Sequence, residues 1–186
     1  TPGISSAASD VYKRQINSRT AEVTGRPVTI SGSRSYDSTT TADSSILTIT
    51  SGVSGESLSL TGAGILGAAS AGTQTITNNN TLAIADGTGS ASNYTLNGAS
   101  INVTVIPKTL NVTLAREYDG TTTVAGALLT PTFDSLQGGE TLAISGTGSV
   151  ANANVGSSKA VTLGTIALAA GSGNPSNYSL NSVLLD

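Results

Sequence analysis

Four tyrosines occupy two recurring places in the chain, and each has a partner beside it. Tyr36 and Tyr118 are followed by Asp37 and Asp119, then by Ser38-Thr39-Thr40 and Gly120-Thr121-Thr122. Tyr94 and Tyr178 each follow an asparagine, Asn93 and Asn177. A phenol can plug one end of a small core while its hydroxyl bonds backbone across a loop, or it can lie exposed and stack on a sugar. Small β-sandwiches commonly pin a corner with a tyrosine, so the structural role is the expectation, with the rings of Tyr118 and Tyr178 mostly buried. The aspartates suit a turn in which a carboxylate accepts backbone N–H groups, with Gly120 relaxing the backbone where the first copy has Ser38. Calcium near Asp37 or Asp119 is the alternative. Asp43, Glu117 and Asp134 are not repeated, however, and calcium needs several converging oxygens. Glu56 and Glu140 each follow a glycine in equivalent turns and read as solvated hairpin ends.

Catalytic chemistry finds little to work with. The chain has no His and no Cys, which removes a Ser-His-Asp triad, imidazole and thiolate metal sites, and a disulfide framework. No pair of acids sits in a context that suggests glycoside hydrolysis. The GTGS runs at 87–90 and 146–149 lack a following helix and Lys, so they read as turns, not phosphate loops. With a net charge of −3 and no basic cluster beyond Lys13-Arg14, neither nucleic acid nor an anionic membrane is an expected partner. No apolar run is long enough to insert in a bilayer as a helix, and no signal peptide is visible. If exported, the chain is expected to be a fragment of a longer precursor.

The elements that carry these residues repeat. Tyr118 follows Tyr36 by 82 residues (118 − 36), and RPVTISGSRSYDSTTT at 26–41 matches KTLNVTLAREYDGTTT at 108–123. Beyond a two-residue insertion before Gly139 the offset is 84: GESLSLTGAG (55–64) pairs with GETLAISGTG (139–148), and Tyr94 with Tyr178. Within each copy the period is two. Leu110, Val112 and Leu114 alternate with Thr109, Asn111 and Thr113, and Ile101, Val103 and Val105 do likewise. This is the pattern of half-buried antiparallel strands, interrupted by turn clusters such as Gln137-Gly138-Gly139. The expected fold is all-β, two tandem small antiparallel β-sandwich modules of immunoglobulin-like type. A parallel β-helix is the rival, although its coils would repeat at roughly 20 residues or somewhat more.

The assignment by segment is as follows. Residues 1–15 share neither repeat nor alternation, resemble a translated sequencing or assembly artefact, and read as a non-native leader. Residues 16–25 align with 98–107 and are expected to be the last strand of a preceding module. Residues 26–106 form the first module and 107–186 the second. Pro107 should act as a stiff hinge between two separately packed units. At offset 84 Asp186 aligns with Asn102, which leaves the second module without counterparts of Val103 to Ile106. Its last strand is therefore expected to be truncated, with apolar residues partly exposed there.

Tyr118-Asp119-Gly120-Thr121-Thr122 after an alternating strand, the Gly139-Glu140-Thr141-Leu142 turn, Asn154-Val155-Gly156 and the closing Asn177-Tyr178 resemble the YDG repeat. That repeat occurs in large bacterial exoproteins similar to filamentous haemagglutinin, which are secreted adhesins of Gram-negative cells. The resemblance covers about residues 26–186, with departures in the first copy at Ser38 and at Ser70-Ala71-Gly72. It implies an extracellular, cell-surface stalk or adhesive segment with weak multivalent contacts. Its partners would be neighbouring repeats of the same chain and a host-surface glycan or protein. It brings no catalytic residues and no cofactor. A carbohydrate-binding module array is the alternative function.

Overall fold

A computed structural model of the chain describes residues 22–186. The leader at 1–15 and residues 16–21 of the expected preceding strand lie outside the described residues; residues 22–25 are irregular chain leading into the first strand. Sixteen strands and four single-turn 3-10 helices, with no α-helix, make up the regular structure among the described residues. The protein is all-β.

The first module contains β1 (Arg26–Ser35), β2 (Thr41–Asp43), β3 (Leu47–Thr50), β4 (Leu58–Thr61), β5 (Ala63–Leu66), β6 (Gly72–Asn78), β7 (Ala83–Asp86) and β8 (Tyr94–Ile106). The second contains β9 (Lys108–Leu114), β10 (Thr123–Ala125), β11 (Pro131–Phe133), β12 (Leu142–Ser145), β13 (Thr147–Val150), β14 (Lys159–Thr162), β15 (Ala167–Ala170) and β16 (Tyr178–Leu185). Each set forms one curled six-stranded sheet, in the orders β2-β5-β6-β8-β1-β3 and β10-β13-β14-β16-β9-β11, and one two-stranded ribbon, β4-β7 or β12-β15. The duplication read from sequence is thus a duplication of topology. Neighbouring strands are antiparallel except for the first and last strands of each module. A stack of parallel coils would need the reverse, so the β-helix alternative has no support.

Alternation explains which residues are inside. In β9, Leu110, Val112 and Leu114 are fully buried while Thr109 and Asn111 face out. β-branched and aliphatic residues on one side of the pleat leave water together, each burial contributing about 1.5–3 kcal/mol. The ribbon closes the curl. Leu58, Leu60 and Ile84 pack against Val28, Ile30 and Ile101 in the first module. Ile144 and Leu168 pack against the corresponding face in the second.

The parallel pair inside each sheet, one strand in from an edge, sets the chain's direction. Arg26 lies opposite Tyr94 at one end of the β1–β8 pair and Ser35 opposite Ile106 at the other. The chain therefore comes in at one pole of the module and leaves at the opposite pole. Pro107, which cannot donate to a ladder, separates β8 from β9.

Two sequence expectations are corrected here. The modules are not packed separately: one apolar cluster contains Tyr36, Ala42, Leu66, Val103 and Val105 from the first together with Leu110, Leu142 and Tyr178 from the second. A single residue between β8 and β9 holds the two poles against each other, and apolar side chains from both fill the contact. The end of the second module was also misaligned. Between the pairs Pro27↔Thr95 and Thr29↔Ser100, β8 carries three more residues than β1, including Gly98 at φ 74°. Between Leu110↔Leu180 and Asn111↔Ser182, β16 carries only one. The smaller bulge returns the offset to 82 (185 − 103), so Leu185 is the counterpart of Val103 and pairs with Leu114 as Val103 pairs with Gly32. Val183 and Leu185 are buried, not exposed, and the Asp186 N–H donates to the Leu114 carbonyl at 2.8 Å.

Gly62 and Gly146 turn their strands at φ 76° and 79°, and a Cβ on either would lie 2.0 Å from the carbonyl oxygen of Thr81 or Thr165. Gly62→Ala and Gly146→Ala should each destabilise the protein by about 1–3 kcal/mol or more. Urea denaturation checks this, and a loss under about 0.5 kcal/mol, the scale of a neutral surface change, at both sites would show the turns are not constrained.

Candidate functional site at the module joint

β1 ends where its last carbonyl and amide groups run out of strand partners, and the residues that follow rebuild them locally. The Tyr36 N–H donates to the Ile106 carbonyl at 2.8 Å, closing the β1–β8 pair. Asp37 Oδ1 then accepts from the Thr39 N–H and Thr39 hydroxyl, both at 2.9 Å, while Ser38 adopts φ 64°. The Arg34 guanidinium pairs with Asp37 Oδ2 and donates to the Thr39 carbonyl and hydroxyl. The second module builds the same loop. Asp119 Oδ1 accepts from the Thr121 N–H at 2.8 Å and its hydroxyl at 2.9 Å, Arg116 lies 3.2 Å from Asp119 Oδ2, and Gly120 has φ 74°.

Both oxygens of each aspartate are thus engaged inside its own loop. Partial burial pushes the Asp37 carboxyl up, but the Thr39 hydrogen bonds and the Arg34 charge outweigh it and leave the pKa lowered. Asp119 is lowered too, first by the Thr121 backbone bond and then by its hydroxyl bond. Among the described residues no three His, Cys, Asp or Glu side chains converge on a point that could hold a metal.

The loop aims Tyr36 across the joint. Its ring meets that of Tyr178 edge-on, with centroids 5.3 Å apart and planes at 77°, a favourable arrangement of ring quadrupoles. Both phenols donate to one carboxylate: Tyr36 to Glu140 Oε1 at 2.6 Å and Tyr178 to Glu140 Oε2 at 2.5 Å. Tyr178 Oη also accepts from the Gln137 N–H at 3.0 Å. Asn177, a buried polar side chain, accepts from the Ala71 N–H at 2.9 Å and so ties the second module back to the first. The Ser38 side chain lies against the backbone of Gly138, where a Cβ would stand 3.0 Å from its hydroxyl.

Burial and then the Glu140 hydrogen bond push the Tyr178 phenol up to about 12. Tyr36 is raised for the same reasons in the same order. In the first module Tyr94 donates to Glu56 Oε2, and that hydrogen bond, followed by burial, raises its pKa. The cluster holds its protons and uses them as hydrogen-bond donors, which makes it suited to pinning surfaces together.

The structure therefore brings together Tyr36, Asn177 and Tyr178, with Asp37 shaping the loop behind them. It places Tyr94 at the far pole of the first module and Tyr118, Asp119 and Gly120 at the far pole of the second. Tyr118 is the expectation that fails: it is 68 % exposed, whereas Tyr36 is 4 % exposed. The loops match, but the residues that cover Tyr36 belong to the next module, and none of the described residues takes that place over Tyr118. Glu140 is also corrected, from a solvated hairpin end to the acceptor of two buried phenols. Its recurrence as Glu56 at the offset of the second tyrosine pair was the available signal. Arg34 and Arg116 went unread although they too recur at 82, two residues before each tyrosine.

A family model described as YDG domain matches the chain twice, over residues 18–103 and 106–183. No curated protein and no solved structure matches.

Glu140→Gln keeps the shape of the joint but replaces a charged acceptor shared by two phenols, and should cost about 1.5–3 kcal/mol, the worth of a hydrogen bond to a charged group. Equal urea midpoints for variant and parent would show that the carboxylate is dispensable. The pH dependence has a definite sign. Tyr178 ionises at 10.0 when unperturbed and near 12 when folded. The stability it contributes is complete below pH 10 and is lost as pH rises towards 12. Denaturation midpoints should fall across that interval, and fall less steeply in Glu140→Gln, where part of the cause of the raised pKa is gone.

Proposed function

The chain belongs to the YDG-domain family, and from that premise we propose that it is a structural repeat segment of a secreted bacterial cell-surface adhesin. In this reading the parent protein resembles the filamentous haemagglutinin-like exoproteins, and the modules act as stalk or spacer outside the cell. The observation that carries it is the joint. Each module takes the chain in at one pole and releases it at the other, and the abutting poles share an apolar cluster and a Tyr–Glu–Tyr hydrogen-bond set. Such a connection transmits position along the chain instead of letting modules swing. Neighbouring repeats are then the first partners, and any host glycan or protein would be met weakly and many times over. The finer fold reading, an immunoglobulin-like sandwich, belongs to the same proposal. It is supported by short antiparallel strands and by the packing of each curled sheet against its ribbon.

A structural role, with no catalysis, accords with a chain that lacks His and Cys and spends Asp37, Asp119 and Glu140 on internal bonds. The carbohydrate-binding alternative needs tyrosines grouped on the surface, and Tyr36, Tyr94 and Tyr178 are buried.

The absence of Cys allows spin labels to be placed at will. Thr48 and Thr132 are exposed on edge strands of the two sheets. In a Thr48→Cys/Thr132→Cys chain, pulsed electron resonance should give one narrow distance distribution, broadened by adding Tyr36→Ala. An equally broad distribution in both would remove the spacer reading.

A further inference from the structure

The second module ends in a face that is the counterpart of the face the first module buries. We propose that this face, centred on Tyr118, is a docking surface for the upstream pole of a further module of the same kind, joined in tandem.

The reasoning is positional. In the first module, Tyr36, Ile46 and Ala71 lie at the joint. Tyr36 is part of the shared cluster, Ile46 packs against it, and Ala71 donates its N–H to Asn177. Their counterparts at offsets 82, 82 and 84 are Tyr118, Leu128 and Val155. These are three of the large apolar residues left exposed, at 68 %, 84 % and 87 %. Exposed apolar side chains scattered singly mean little, but these fall on the positions a neighbour covers once already in the same chain. A cleft lies beside Tyr118, lined among others by Arg116, Asn154, Val155 and Gly156.

The side-chain bonds that shape the loop are present as well. Arg116, Asp119 and Thr121 hold their loop with the bonds that Arg34, Asp37 and Thr39 use to present Tyr36. A side chain so prepared needs little reordering to bind, which is where affinity is usually lost. The occupant's chemistry follows from what Tyr36 meets: a glutamate with one carboxylate oxygen bonded by its own tyrosine and the other open to a second phenol, and an asparagine carbonyl placed to accept a backbone N–H. The surface is heterologous, a plug at one pole and a socket at the other, so each module added leaves a new socketless plug for the next.

The inference extends the spacer reading to the free pole but fails separately from it. A swinging joint between the two existing modules would sink that reading without touching Tyr118. The test is tyrosine nitration mapped by mass spectrometry, on the full chain and on the chain extended after Leu185 by a repeat of residues 104–186 in which the counterpart of Tyr118 is changed to Phe, so that the original Tyr118 alone is read. In the parent chain Tyr118 should react readily while Tyr36 and Tyr178 are protected. In the extended chain Tyr118 should slow about tenfold or more, as a joint closed nine-tenths of the time requires. The appended copy's counterpart of Tyr178 reports whether that copy has folded. Where it has not, a second extension, carrying residues 104–107 and then the first module's 26–106, presents the Glu56–Tyr94 pole instead. Tyr118 as reactive in both extended chains as in the parent overturns the proposal.

Discussion

Glu140 accepts hydrogen bonds from two phenols that belong to different modules, and the arrangement of everything around it follows from that shared carboxylate. A charge at a largely dehydrated interface is costly unless its lone pairs are met. Here Tyr178 meets one oxygen from within the module and Tyr36 meets the other from the module before. Tyr36 can reach only because Arg34 and Asp37 fold its loop back on itself, and because its N–H is anchored on the last carbonyl of β8. The joint is therefore specified by hydrogen-bond direction, while Leu66, Val105, Leu110 and Leu142 supply the apolar area that excludes water around it.

The two YDG loops show how far local chemistry reaches. The bonds among Arg34, Asp37 and Thr39 recur among Arg116, Asp119 and Thr121, with one more from Arg116 to the Thr123 carbonyl, although one loop has Ser38 and the other Gly120 at the left-handed position. A serine pays some strain there, and in the first loop its side chain is also the group that contacts Gly138 of the next module. Identical loops nevertheless leave one ring buried and one exposed. The conserved geometry of the loop concerns presentation of the tyrosine; burial is conferred by what is placed against it.

A chain so poor in aromatic and charged residues must build specificity from few groups. Glycine supplies much of the rest. At Gly173 a Cβ would meet the stem and carboxylate of Glu140 at 3.0 Å, and at Gly89 it would crowd Glu56 in the same way. The bare backbone at these two positions lets a glutamate lie close to its tyrosine at each upstream pole. Large side chains are thus concentrated where they must act, and the surrounding small residues make room for them.

The strands, their alternation and the duplication were written in the sequence, because each is a local pattern: period-two burial of Leu110, Val112 and Leu114, and a signature returning after 82 or 84 residues. The recurrence of Tyr36, Tyr94, Tyr118 and Tyr178 was equally plain. What these tyrosines do was decided only by tertiary structure. Burial of Tyr36 at the downstream pole of its module depends on the next module, which nothing near it in the chain describes. The same holds for Glu140, whose place after a glycine in a turn is indistinguishable from a solvated hairpin end until two phenols arrive from 104 and 38 residues away. The closing strand was misaligned for a related reason, since its register is set by the size of a bulge opposite Pro27 or Leu110, and pairing across a sheet, not spacing along the chain, determines which residue faces Leu114.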